Sequence, residues 1–255
     1  SEMKDHSGKV DQQMIDRTAK WLMSRRDGKG AFNVSSRFLH TWLTDVDITS
    51  AYIVYALSES GYTDVKTELD AAVAKAKSND DPYQLALVAN ALYNYKDESR
   101  AASVMAQLMK TMSSDGSFNG KKFSIVCSQG QSLKVETTAL AMQAMIKSGK
   151  YHTEIQKAVD FIQKNRQGSG GFGNTQATVL ALKSLTDYAK FAKKTDENGV
   201  IEIWVDGTKV GEATYEKGHR EPIEIAGLEK YITGGTHTVE VRSPGVKNPL
   251  PWSVA

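Results

Sequence analysis

One cysteine, Cys127, is all that the 255 residues contain. A lone thiol excludes an internal disulfide and a multi-cysteine zinc site. A disulfide framework of the kind common in secreted animal domains is therefore absent, which fits a bacterial chain better. Charge of one sign is lacking too. Thirty-two Lys and Arg against thirty Asp and Glu leave a net charge of +2, which gives no electrostatic footing for nucleic acid. No apolar run approaches the roughly 20 residues needed to span a bilayer, and no signal peptide opens the chain. The polar opening SEMKDHSGKVDQQ runs straight into a helical pattern, as expected of a piece excised from a larger protein.

The residues present read mainly as helix. Val10 to Arg26 carries Met14, Ala19, Trp21 and Leu22 on one side, an amphipathic pattern. Thr44 to Ser58 is apolar nearly all round, and Thr63 to Lys77 is charged on one side. Asp81-Pro82 opens a further apolar helix, with proline where a helix start tolerates it. Asp97 to Met112 and Thr153 to Arg166 are amphipathic, whereas Val135 to Lys147 is apolar on several faces. The same holds for the helix opening at Asn174 or Thr175, whose Ala177, Val179, Leu180, Ala181, Leu182 and Leu185 require neighbours on most sides.

Three glycine–aromatic turns punctuate this series, ending at Phe32, Phe118 and Phe172. The first gap is 86 residues (118 − 32) and the second 54 (172 − 118), and the longer one holds an extra helix pair turned at Asp81-Pro82. Each unit is thus on the order of 45 to 55 residues, a period of repeated helix pairs. Polar-faced helices alternating with all-round apolar ones predict two concentric layers. The fold class is accordingly mainly α, an incomplete α/α toroid of repeated helix pairs followed by a small antiparallel β domain.

The pattern changes after Lys194. Thr195 to Gly199 is a polar linker, Val200 to Val205 alternates, and Asp206-Gly207 is a hairpin signal before Thr208 to Tyr215. Pro222 to Ala226 and Thr236 to Val241 also alternate with period two, and Leu250 to Ala255 reads as a strand cut short. The expected domains are 1–194 for the toroid and 195–255 for an incomplete β segment.

Candidate chemistry is sparse. Asp45-Val-Asp47-Ile-Thr49 resembles the acid motif of terpene cyclases, which share the toroid. Ile48 occupies the place of the protonating carboxyl, however, and a methyl-bearing side chain has no proton to give. A helix cap at Asp45 or Asp47 is the alternative. The five histidines, His6, His40, His152, His219 and His237, show no metal-site spacing near Cys127. Nothing local lowers the pKa of Cys127. The glycine turns lack the GxxxxGK[ST] and GxGxxG patterns of phosphate loops. The inner helices supply Glu136 and little else that is acidic.

Three blocks carry a resemblance. GGFGNTQATVLALKSL (Gly170 to Leu185), SLKVETTALAMQAM (Ser132 to Met145) and AKWLMSRRDGKGAF (Ala19 to Phe32) look like segments of the alpha-2-macroglobulin and complement family, in the same order. They fall in the later part of its thioester domain. The β segment is similar to the adjoining β domain, which is CUB-like in complement, or to a macroglobulin-like domain.

That resemblance implies a fragment of a protease-trapping or envelope-defence protein, secreted or held in the periplasm or cell envelope. The expected partners are proteases, met by the full-length parent, and cell-surface hydroxyl or amine nucleophiles. No cofactor and no turnover by the fragment itself are implied. The family's Cys-x-Glu-Gln thioester block does not occur in these residues, since Cys127 is not followed by Glu-Gln. The parent either carries it upstream or lacks it. Complement-type members place a histidine eight residues after the aromatic of the first turn, which falls on His40 here. The resemblance gives that histidine the role of thioester nucleophile. Two alternatives stand beside it: a toroid enzyme of the terpene cyclase or polysaccharide lyase or hydrolase type, and a scaffold that binds without covalent chemistry.

Overall fold

Eight helices precede three strands in a computed structural model that describes residues 11–33, 45–168, 170–192, 197–219 and 223–246. The helices are α1 (Gln12–Met23), α2 (Val46–Glu59), α3 (Lys66–Asn79), α4 (Pro82–Asn94), α5 (Glu98–Met109), α6 (Gly130–Ser148), α7 (His152–Lys164) and α8 (Thr175–Ala192). The described residues fall into two compact units divided between Leu185 and Thr186.

Side-chain caps set most of the helix starts. Asp45 accepts from the N–H groups of Asp47 and Ile48, Asp81 from Tyr83, Asp97 from Arg100, and Asp11 from Met14. Asn174 does the same for α8, accepting from Ala177 N at 2.9 Å. Each satisfies an N–H that the first helical turn leaves without an internal partner. At the other end of α6, Gly149 takes a left-handed conformation, φ +64°, as expected of a glycine helix stop.

The two-layer expectation holds. Every residue of α4 from Pro82 to Leu92 is buried, as is α6 from Val135 to Met145. The even-numbered helices form the inner layer of an incomplete α/α toroid. The outer helices are wet on one side, as on α7, where Ile155, Ala158, Val159, Phe161 and Ile162 are the buried residues. The fourth inner helix departs from expectation. Along α8 only Ala177, Leu180, Ala181 and Ser184 are buried, and Val179 and Leu182 remain 46% and 52% exposed. Described residues therefore cover α8 on one side only.

The three glycine–aromatic turns share one construction. In each, the N–H five residues before the aromatic donates to the carbonyl just before it: Asp27 to Ala31, Ser113 to Ser117 and Gln167 to Gly171. The aromatic's own N–H then donates to a hydroxyl on the next inner helix. Phe32 reaches Ser50 Oγ at 3.2 Å, Phe118 reaches Thr138 Oγ1 at 3.0 Å, and Phe172 reaches Thr178 Oγ1 at 3.0 Å. All three rings are buried. The glycine two places before each aromatic is left-handed, with φ of +99°, +86° and +87° at Gly30, Gly116 and Gly170. At Gly116 a side chain would stand 2.3 Å from the Lys157 carbonyl oxygen, so the turn lies flat against α7.

The second unit holds a three-stranded antiparallel sheet, ordered β2-β1-β3, from β1 (Gly199–Val205), β2 (Thr208–Tyr215) and β3 (Val239–Arg242). Asp206-Gly207 forms the hairpin, with Val205 opposite Thr208, and the register shifts between Ile203 and Trp204. Two strand expectations need correction. Residues 223–226 are not strand, although Ile223 and Ile225 are half-buried and Glu224 exposed. The alternation there reflects packing, with Ile225 over Gly211, and among the described residues no hydrogen-bonded ladder accompanies it. The last strand begins at Val239, later than Thr236. Pro222 and the segment from Leu250 to Ala255 lie outside the described residues.

Candidate functional site

The amino ends of all four inner helices are tied together by one loop, Asn119 to Gln129, which we call the strap. Its Lys122 ammonium pairs with the carboxylate of Asp45, the cap of α2. Lys121 N donates to Asp81 Oδ1, the cap of α4, at 3.1 Å, and Ile125 N donates to Tyr83 Oη at 3.3 Å. The Ser128 hydroxyl hydrogen-bonds Glu136 Oε1 on α6 and accepts from Asn174 Nδ2, the cap of α8, at 2.6 Å. Because amino ends meet amino ends, the inner helices run in the same direction.

Glu136 is the chemical oddity of this cluster. It is wholly buried, on a helix whose neighbouring residues are apolar or hydroxylic. Burial pushes its carboxyl above the usual range, and hydrogen bonds from Ser128, Ser124 and Asn174 only partly offset that. Among the described residues its Oε2 has no hydrogen-bond partner. Asp45, by contrast, sits below the usual carboxylate range. Burial alone would raise it, but the Lys122 hydrogen bond and the N–H groups of Asp47 and Ile48 prevail. Asp47 pairs with Lys75 at 3.6 Å. Both acids of the Asp45–Asp47 motif are therefore engaged in capping or ion pairing, not aimed as free proton donors.

A second carboxylate gathers the carboxyl ends of α2, α4 and α6 and the middle of α8. Glu59, the last residue of α2, accepts at Oε1 from Lys147 Nζ and Asn94 Nδ2, both at 2.6 Å, and at Oε2 from Lys183 Nζ at 3.1 Å. Burial would raise its pKa, but the two ammonium groups and the Asn94 amide take it down to about 2.

His40, the site residue expected from sequence, lies outside the described residues. Its segment leads into Asp45, the α2 cap held by Lys122. Cys127 sits in the strap at φ +59°, half-buried. Among the described residues no group of three His, Cys, Asp or Glu is placed to hold a metal, and no helix is long and apolar enough to cross a membrane. Ser128, Lys122, Asn94, Lys147 and Lys183 were not singled out from sequence. Glu136 was, and a carboxylate within an apolar stretch signals that a buried partner exists without saying which residue it is.

Residues 2–188 match the A-macroglobulin TED domain. The chain belongs to that family. It is 25% identical over 213 residues to complement C3 of Eptatretus burgeri, covering 72% of this chain and 13% of the relative. It is 28% identical over 192 residues to thioester-containing protein 1 allele S3 of Anopheles gambiae, covering 71% and 14%. Ovostatin of Gallus gallus is 26% identical over 215 residues, covering 76% and 15%. The chain thus spans only about an eighth to a seventh of these relatives, and its residues 2–188 correspond to the TED domain. Of the three blocks that carry the resemblance, two hold the aromatic turns at Phe32 and Phe172, and the third holds Glu136.

Proposed function

We propose that this TED-domain chain serves a larger defence protein that traps proteases, and that His40 is the nucleophile toward a thioester supplied elsewhere in that parent. The match to the TED domain over residues 2–188 is the observation that carries this reading. The position of His40, eight residues past Phe32 and shortly before the Asp45 cap, supports the finer part. A neutral imidazole is a competent nucleophile near pH 7. Its nitrogen attacks the thioester carbonyl, the carbon–sulfur bond breaks, and cysteine leaves as thiolate. The thiolate then takes the proton of an incoming hydroxyl, which attacks the acyl-imidazole and regenerates the ring. Partners in this reading are proteases and surface hydroxyl or amine groups, met outside the cell or in the periplasm or envelope. The single cysteine favours a bacterial source.

The chain alone turns over no substrate in this reading, because the inner-helix acids Asp45, Asp47, Glu59 and Glu136 are capping, paired or buried. The test uses the full-length parent after proteolytic activation, with glycerol and an amine competing as acceptors. His40→Asn should shift products from ester toward amide, since amines attack a thioester directly. An unchanged ratio removes the role from His40. A parent without a Cys-x-Glu-Gln block leaves the ring as a non-covalent scaffold. Conversion of an isoprenoid or glycan by the chain, lost in Asp47→Asn, would establish a toroid enzyme instead.

A further inference from the structure

We propose that the strap, Asn119 to Gln129, is a proton-controlled latch over the amino ends of the inner helices, locked while Glu136 is neutral and loosened when it ionises. This rests on the geometry of the chain's own residues and is independent of any thioester.

The strap has two kinds of fastening. At one end the anchors are ionic or backbone: Lys122 to Asp45, and Lys121 N to Asp81 Oδ1. At the other end everything converges on one buried carboxyl. Ser124 Oγ accepts from Val126 N at 3.3 Å and from Ser128 N at 3.2 Å, folding the strap back on itself. Ser128 then joins Asn174 to Glu136. Among the described residues no cation pairs with Glu136. The titratable groups facing it are the Tyr52 phenol of α2 and the Tyr83 phenol of α4, while Asp81 stands beyond Tyr83. Both phenols are themselves pushed up by burial and stay neutral, so neither supplies charge to balance a carboxylate.

A neutral carboxyl suits this setting, and an ionised one does not. Because Glu136 lies above the usual range when the strap is seated, proton binding favours the seated form. Its contribution is complete below the ordinary glutamate pKa. It is lost as pH rises through the raised value, because the opened strap lets water reach the carboxylate. Ile125 N–H, which donates to Tyr83 Oη, is released with the strap and reports on it directly.

Amide hydrogen exchange of the strap in the 255-residue chain, corrected for intrinsic rate, tests this between acid and mildly alkaline pH. Wild type should exchange faster at the alkaline end, by one decade for each unit by which the pKa is raised. Glu136→Gln keeps the shape, removes the proton equilibrium and should be slow and flat throughout. Equal pH dependence in the two proteins, or flat exchange in wild type, overturns the latch. Should Glu136→Gln fail to fold, the infrared carbonyl band of a protonated carboxyl in wild type decides. It should persist above the ordinary glutamate range and vanish with the same midpoint as strap release. Its absence, or a different midpoint, overturns the proposal equally.

Discussion

Lys183 Nζ donates to Glu59 Oε2 at 3.1 Å, joining α8 to α2 across 124 positions of the chain. Lys147 and Asn94 complete the set, so one carboxylate holds residues from all four inner helices. Glu59 has its pKa depressed to about 2 against an ordinary 4.5. Its stabilisation is therefore present above about pH 4.5 and lost as pH falls toward about 2. Glu59→Gln should cost about 3 kcal/mol at pH 7, much of it from leaving two lysines without their counter-charge. Urea unfolding of both proteins across pH measures this. The gap between them should close on acidification, and a gap that stays constant to pH 2 would dismiss the electrostatic account.

The left-handed glycines separate strain from space. Gly28 has φ +74° and no described atom within 4 Å of an added side chain, whereas Gly116 has φ +86° and a side chain there meets backbone of α7. Gly28→Ala should cost about 1 kcal/mol, the left-handed penalty alone. Gly116→Ala should cost at least about 2 kcal/mol, since the Lys157 carbonyl has to move as well. Equal losses in denaturant melts would mean that the turn does not rest on α7 as described.

Thr138 tests the hydroxyl that receives each aromatic N–H. It is fully buried, accepts from Phe118 N and donates to Lys134 O at 2.7 Å. Thr138→Val keeps the shape but strands a buried N–H, at a cost of about 1–3 kcal/mol. Thr138→Ser retains the hydroxyl and should lose much less. If serine is as damaging as valine, methyl packing and not the hydrogen bond is what matters at this position.

Much of this architecture was legible because it is written in periodicity. Phe32, Phe118 and Phe172 announced equivalent turns, and all-round apolar α4 and α6 announced an inner layer. The ties between helices were not legible. Glu59 meets Lys147 and Lys183 over separations of 88 and 124 residues, and no local pattern encodes such pairing. Ser128 looked like one serine among several in a loop, and only the fold brings it beneath Glu136 and beside Asn174. The strand expected up to Ala226 failed for a related reason. Alternating burial of Ile223 and Ile225 satisfies the pattern without supplying a partner strand. His40 rests on spacing and resemblance alone, and its test belongs to the parent protein.

In the second unit, Asp206 stands at the β-hairpin and binds the start of β3. Its N–H donates to Thr238 O at 2.9 Å, its Oδ1 accepts from Thr238 N at 2.9 Å, and its Oδ2 lies 2.6 Å from His237 Nδ1. The Asp206 carboxylate raises the His237 pKa above its ordinary 6.5, chiefly through that hydrogen bond. The ion pair therefore contributes fully below about pH 6.5 and is lost as pH rises through the raised value. Nuclear magnetic resonance titration of the His237 ring should give a midpoint above the ordinary one, with the signal assigned by its absence in His237→Gln. Asp206→Asn tolerates the left-handed φ of +48° at this position and can still accept from Thr238 N. It removes only the charge, so the midpoint should fall back toward 6.5 while the hairpin survives. A midpoint that Asp206→Asn leaves unmoved would show that the two side chains do not share a proton-dependent bond in solution.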